Sequence, residues 1–272
     1  FKMLISYNWL KEYVDISLPA AKLAELLTMS GLSVDYVKEV PGDTIINIEI
    51  TSNRPDWLSY IGVAREIAAI TGEKLRVQST VHSPQSSVKK RTTNDERRTT
   101  IRVEEKALCP KYTGRVITGV AIGESPAWLK TRLGAMGLKP VNNVVDITNF
   151  CLFETGEPMH AFDLDKIEGA VAVRRAKKGE KIATIDGLER ELDETMLVIS
   201  DEAKAVAVAG VMGALNTEVT TSTNNIFLEA AYFDPVSVRR TARKLGIMTE
   251  SSYRFERGVD IKNIVSSSER AA

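Results

Sequence analysis

The sequence predicts an α+β fold in two parts, a small mixed helix and strand module followed by a larger α+β domain. Strand-like runs follow one another and helices stand apart from them, unlike the regular alternation of a parallel sheet. A stretch at residues 77–100, "VQSTVHSPQSSVKKRTTNDERRTT", is rich in Ser, Thr, Lys and Arg and shows neither a helical nor a strand period. The 272 residues, 43% hydrophobic and 26% charged, are enough for one large or two moderate cores. The expected division is a module at 1–76, a linker at 77–100 and a domain at 101–272. His82 falls in the linker and reads as a solvated imidazole.

In the first module, "SLPAAKLAELLTMSGL" places Leu23, Leu26, Leu27 and Met29 near one helical stripe. Ser17 is its candidate cap, Pro19 stands in its first turn and Gly31 stops it. "SVDYVKEVPGDTIINIEI" reads as two strands around Gly42 and Asp43, with Ile46, Ile48 and Ile50 on a buried face and Asn47 and Glu49 on a wet one. "TSNRPDWLSYIGVAREIAAITG" reads as a polar turn, a helix from Asp56 or Trp57, and Gly72 as its end.

In the second module, strands are expected near 111–121, 170–176, 196–200, 204–210 and 226–233. Helices are expected at 125–136, with Ser125 as cap and Pro126 in first position, and at 235–245, bracketed by Asp234-Pro235 and Gly246. The closing "IKNIVSSSERAA" is helix-compatible with no stop signal, which reads as a piece of a longer chain.

Composition narrows the function classes. The 36 basic and 36 acidic side chains cancel, so contact with a polyanion must come from a local patch. Cys109 and Cys151 have no CxxC spacing, which argues against a disulfide framework or a structural zinc and fits a reducing, cytoplasmic compartment. No run reaches the roughly 20 apolar residues of a membrane span, so no membrane partner is expected. The sequence contains no HExxH, no GxSxG and no Gly-rich Lys-Ser/Thr loop, so metallohydrolase, serine hydrolase and kinase readings lack their parts.

Four stretches carry chemical content. In "VVDITNFCLFETGEPMHAFD", Asp146, Thr148 and Asn149 precede His160 in a mostly apolar run, where each polar group must find a partner. His160 is then either a satisfied core imidazole or a functional one. In "NNIFLEAAYFDP", Glu229 interrupts a strand beside Phe227, Ala231 and Phe233; it either pairs with an arginine or faces a pocket. Gly210 and Gly213 in "AVAVAGVMGALNTEV" are turn glycines or let a ligand approach the backbone, but their spacing is no nucleotide fingerprint. The 235–245 helix carries Arg239, Arg240, Arg243 and Lys244 off its apolar face, as a solvated face or as a track for phosphates.

Taken in order, "EITSNRPDWLSYIGVAREIAAITG", "VVDITNFCLFETGEPMHAFD", "FLEAAYFDPVSVRRTARKLG" and "TESSYRFERGVD" resemble the N-terminal part of bacterial phenylalanyl-tRNA synthetase beta subunits. The chain departs from that pattern at "PGDTIIN", which stands where typical members insert an oligonucleotide-binding barrel and is far too short for five strands. The resemblance implies that the second module is an editing-type domain hydrolysing tyrosine wrongly attached to the phenylalanine tRNA. By that resemblance, His160, Asn149 and Thr148 lie near the ester. Glu229 accepts the tyrosine phenol, Gly210 and Gly213 leave room for its ring, and Thr249 and Ser251 form the rear wall. It also implies tRNA(Phe) and the alpha subunit as partners. No metal and no cofactor are implied for these residues, with ATP and magnesium serving the parent enzyme. The reading from another class is a non-catalytic tRNA-binding or subunit-assembly module with a degenerate pocket.

Overall fold

The computed structural model describes residues 2–76 and 99–272, so His82 and the expected linker, apart from its last two residues, lie outside the described residues. Helices and open sheets mix as expected of an α+β chain, and the chain separates into two compact units. The division differs from the expected one: Glu124–Gly156 groups with the first unit, and residues 99–123 join Glu157–Ala272 in the second.

The first unit holds β1 (Lys2–Ser6), α1 (Tyr7–Leu10), α2 (Ala20–Met29), β2 (Val34–Val40), β3 (Asp43–Glu49), α3 (Tyr60–Thr71), α4 (Ala127–Ala135) and α5 (Asn143–Thr155). Its antiparallel sheet has the order β1-β3-β2. The β2–β3 hairpin turns at Gly42, whose φ of 79° needs a residue without a β-carbon. Ile46, Ile48 and Ile50 are buried as expected, but Asn47, expected on a wet face, is only 5% exposed. Ile45 on the same face is buried too, so that face is covered along the middle of β3, while Glu49 at its end is exposed as expected.

Aromatic packing explains why α4 and α5 belong here. The Trp9 ring lies between Tyr60, 3.8 Å away, and Phe150 of α5, 4.9 Å away and stacked. Trp9 donates to the Tyr13 hydroxyl, which donates at 2.6 Å to Glu154. Phe150 and Glu154 are one helical turn apart, so a single face of α5 supplies both contacts. Arg132 of α4 adds an ion pair with Glu12. The contacts of α4 and α5 with Trp9, Glu12 and Tyr13 cross more than a hundred residues and cannot be read from local periodicity.

Three helix starts differ from expectation. The Ser125 hydroxyl donates to the buried Asp146 carboxylate at 2.5 Å, so it does not cap α4, whose cap position is Pro126. Ser17 likewise does not cap α2, where Pro19 holds the cap position. A 3-10 turn over Pro55–Leu58 precedes α3, which begins after the Ser59 cap.

The second unit holds β4 (Ile101–Val103), β5 (Lys111–Thr118), β6 (Met159–Asp163), β7 (Val171–Arg175), β8 (Lys181–Ala183), β9 (Glu189–Glu191), β10 (Leu197–Ser200), β11 (Ala205–Val208), β12 (Met212–Gly213) and β13 (Asn225–Tyr232). Its helices are α6 (Pro235–Leu245), α7 (Glu250–Phe255) and α8 (Ile264–Ala271). One sheet has the order β12-β11-β10-β7-β4, a second β5-β13-β6, and β8 and β9 form a hairpin. The core cluster draws Val171, Val173, Val198 and Val206 from the first sheet and Phe162, Phe227 and Ala231 from the second. Close approach sets one glycine: a β-carbon on Gly114 would lie 2.1 Å from the Phe227 ring. Helix α6 begins and ends as expected, with Asp234 accepting from the Ser237 amide and Gly246 at φ 66°. Among the described residues no helix is long and apolar enough to cross a membrane.

Candidate functional site

The second unit contains a cleft of about 360 Å³, counted out to its open mouth, with His160, Glu229, Gly210, Gly213 and Ser251 among its lining residues. Strand pairing brings the first two together. Registers on both sides of the central strand β13 set Gly114, Glu229 and His160 in one row across β5, β13 and β6. Residues directly opposite in a sheet point to the same face, so the carboxyl and the imidazole share the face that looks into the core.

Glu229 is 7% exposed and pairs with no arginine among the described residues. Its partner is the Tyr112 phenol, which donates to Oε2 at 2.7 Å. Burial pushes the Glu229 carboxyl up to about 7, and the Tyr112 bond acts against that shift. Near neutral pH the group is therefore split between its acidic and ionised forms. Burial also holds the His160 imidazole down to about 4, so it is neutral at pH 7. Its Nε2 is buried with no hydrogen-bond partner among the described residues, and its ring meets Phe162 edge-on at 4.5 Å. The Glu157 carboxyl is pushed up to about 9 by burial and then by the charge of Asp260, with the Ala231 amide opposing. Burial, reinforced by Glu229, pushes the Cys109 thiol up to about 12, so it is no thiolate nucleophile at neutral pH.

The glycines act first on the protein itself. A β-carbon on Gly213 would lie 2.4 Å from both Nε2 and Cε1 of His160, so Gly213 makes room for the imidazole. Gly210 has φ 69° and would crowd Val238, Phe233 and Phe255 at 3.0–3.1 Å. Thr249 is not among the lining residues. It caps α7 in a reciprocal box with Ser252, and its hydroxyl donates to the Val211 carbonyl at 2.9 Å. It thereby pins the loop that carries the cleft wall, while Ser251 lines the cleft itself.

Thr148 and Asn149 are half-buried on α5 of the first unit. The Thr148 hydroxyl donates to the Val145 carbonyl of its own helix at 2.7 Å. Arg239, Arg240, Arg243 and Lys244 are all exposed on α6. Lys244 pairs with Asp193 at 2.5 Å, while the three arginines have no ion-pair partner among the described residues. Tyr112 and Glu157 were not singled out by sequence. Period-2 alternation puts Tyr112 on one face of its strand, but only the pairing of β5 with β13 brings it to Glu229. No group of three or more His, Cys, Asp or Glu side chains among the described residues could hold a metal ion.

A family model described as the B3/4 domain matches residues 108–272, more than half of the 272-residue chain. The chain belongs to the B3/4 domain family. The cleft falls within this B3/4 match, and the resemblance drawn from the four motifs is borne out by curated relatives. A phenylalanine-tRNA ligase beta subunit of Fusobacterium nucleatum is 50% identical over 82% of this chain and 27% of its own length. The beta subunit of Rhodopirellula baltica is 46% identical over 99% of this chain and 39% of its own length. That of Moorella thermoacetica is 51% identical over 85% and 28%. The chain thus spans between 27% and 39% of the length of these relatives. A solved N-terminal fragment of the phenylalanyl-tRNA synthetase beta subunit from Pyrococcus horikoshii gives a TM-score of 0.44 at 20% identity, covering 90% of this chain and 74% of that one.

Proposed function

We propose that this chain works as part of a phenylalanine-tRNA ligase beta subunit, and that its B3/4 cleft hydrolyses tyrosine wrongly esterified to tRNA(Phe). The observation that carries the reading is the pairing of a buried, phenol-bonded Glu229 with His160 directly opposite it in the cleft. An apolar pocket built for a phenyl ring rejects an added hydroxyl by only about 100-fold, so a second, hydrolytic site is useful. That second site must require the hydroxyl. A buried acceptor does so, because phenylalanine leaves it unpaired while tyrosine bonds it.

In this reading Glu229 accepts the substrate phenol, and Nε2 of His160, without a partner among the described residues, orients water or the terminal ribose. With its pKa held near 4, His160 is a poor proton acceptor at neutral pH and a good neutral hydrogen-bond partner. Water attacks the ester carbonyl, the bond to the ribose oxygen breaks, and the water proton passes to that oxygen with help from the substrate itself. Positioning and charge stabilisation are sufficient for this chemistry. The three arginines of α6, which have no ion-pair partner among the described residues, track acceptor-strand phosphates. The alpha subunit is the assembly partner, ATP and magnesium serve the parent enzyme's aminoacylation, and the compartment is the cytoplasm.

The reading is tested by following deacylation of Tyr-tRNA(Phe) with the wild-type protein and with His160→Ala and Glu229→Ala. Hydrolysis above the uncatalysed rate that falls in both variants supports it. A background rate unaffected by either substitution in folded protein leaves a tRNA-binding or assembly module instead.

A further inference from the structure

We propose that Tyr112 is a positioning residue for Glu229: its phenol holds one carboxylate oxygen so that the other, Oε1, is presented as the acceptor for the phenol of a tyrosyl ligand. This deepens the reading of the cleft as tyrosine-selective and rests on it.

The β5–β13 register sets Gly114 opposite Glu229 and Tyr112 opposite Ala231. Tyr112 is therefore the diagonal neighbour of Glu229 on the same face, within reach of a long side chain. Gly114 brings no side chain, and the space above it is taken by the Phe227 ring. The Tyr112 phenol donates to Oε2 at 2.7 Å, while no donor among the described residues bonds Oε1.

Tyr112 is itself held. Its ring meets Phe233 edge-on at 6.5 Å, Phe233 meets Phe255 at 5.1 Å, and Phe255 lines the cleft. Gly210 lies against both phenylalanines with no β-carbon to push them apart. The phenol cannot swing away from Glu229 without disturbing the cleft wall.

A buried carboxyl without this donor is free to turn and is held in its acid form by desolvation. An acid carboxyl forfeits the charge-assisted bond to an incoming phenol. The groups facing Glu229 are Tyr112, Cys109, Glu157 and His160, and Glu157 in turn faces Asp260 and Lys111. Among them, Tyr112 is the one that bonds the Glu229 carboxylate.

The test is a calorimetric titration of the full chain with free L-tyrosine and free L-phenylalanine, from about pH 5.5 to about pH 8.5. It is run on wild type, Tyr112→Phe, Glu229→Gln and the double variant. In parallel, the Glu229 carboxyl is titrated by carbon NMR in the ligand-free protein. Wild type is expected to prefer tyrosine, with a preference that grows as Glu229 ionises around pH 7. Tyr112→Phe, which keeps the ring, is expected to lose about tenfold of that preference and to move the carboxyl midpoint to higher pH. In the Glu229→Gln background the same change should cost nothing further.

A wild type that prefers tyrosine, with Tyr112→Phe leaving preference and midpoint unmoved or tightening tyrosine binding, overturns the role of Tyr112 alone. So does an equal loss in the Glu229→Gln background, which reports general damage. A wild type with no preference overturns the reading of the cleft, and this inference with it.

Discussion

Gly213 and His160 share one space: the imidazole stands where a β-carbon on residue 213 would be, 2.4 Å from Nε2. Gly213 has no positive φ, so the cost of a side chain there is crowding alone. Gly213→Ala is expected to displace the imidazole, cost about 1–3 kcal/mol in urea unfolding, and lower deacylation as far as His160→Ala does. Because His160→Ala removes the ring, the double variant should be more stable than the sum of the two changes predicts.

The raised pKa of Glu229 makes its contribution to stability depend on pH. A carboxyl at 4.5 when unfolded and about 7 when folded favours the folded state fully below pH 4.5, and that contribution is lost as pH rises through about 7. Glu229→Gln removes this loss. Relative to wild type, its unfolding free energy should rise by about 3 kcal/mol at most between about pH 4.5 and pH 8. Urea unfolding curves across that range check it, and parallel curves for the two proteins would contradict a buried, shifted carboxyl.

Thr249 acts through Val211. Thr249→Ala removes a helix cap worth about 1 kcal/mol and frees the Val211 carbonyl, so both the unfolding midpoint and the deacylation rate should fall. Thr249→Ser keeps the hydroxyl and should restore both.

The basic face of α6 separates by its pairing. Arg239→Ala, Arg240→Ala and Arg243→Ala should each weaken tRNA binding and reduce its salt slope by about one. Lys244→Ala should do less, since Asp193 already holds that ammonium. Filter binding over a salt series distinguishes the two.

Local signals in the sequence were sound where the physics is local. The Gly42 turn and the Asp234 and Gly246 ends of α6 follow from residues within a few positions. The Ser17 and Ser125 caps are local exceptions, and the larger departures are long-range. No helix is expected at residues 143–155, which fall within the expected 101–272 domain; they form α5 of the first unit, whose partners Trp9 and Tyr13 lie more than a hundred residues away. Thr148 and Asn149 moved to the first unit with it. Glu229 was legible as a buried carboxylate, but its phenol partner belongs to a strand paired across more than a hundred residues. That Gly213 makes room for the His160 imidazole is not legible in the sequence, where the two stand more than fifty residues apart.

The proposed role of Glu229 in selecting a phenol is tested most directly by the ratio of hydrolysis rates for Tyr-tRNA(Phe) and Phe-tRNA(Phe). It is measured with the protein in wild type and in Glu229→Gln. Faster hydrolysis of the tyrosyl ester by wild type, with a ratio that collapses toward one in the variant while tRNA affinity stays the same, is the predicted result. Equal rates for the two esters in wild type, or a ratio that survives Glu229→Gln, would contradict the account.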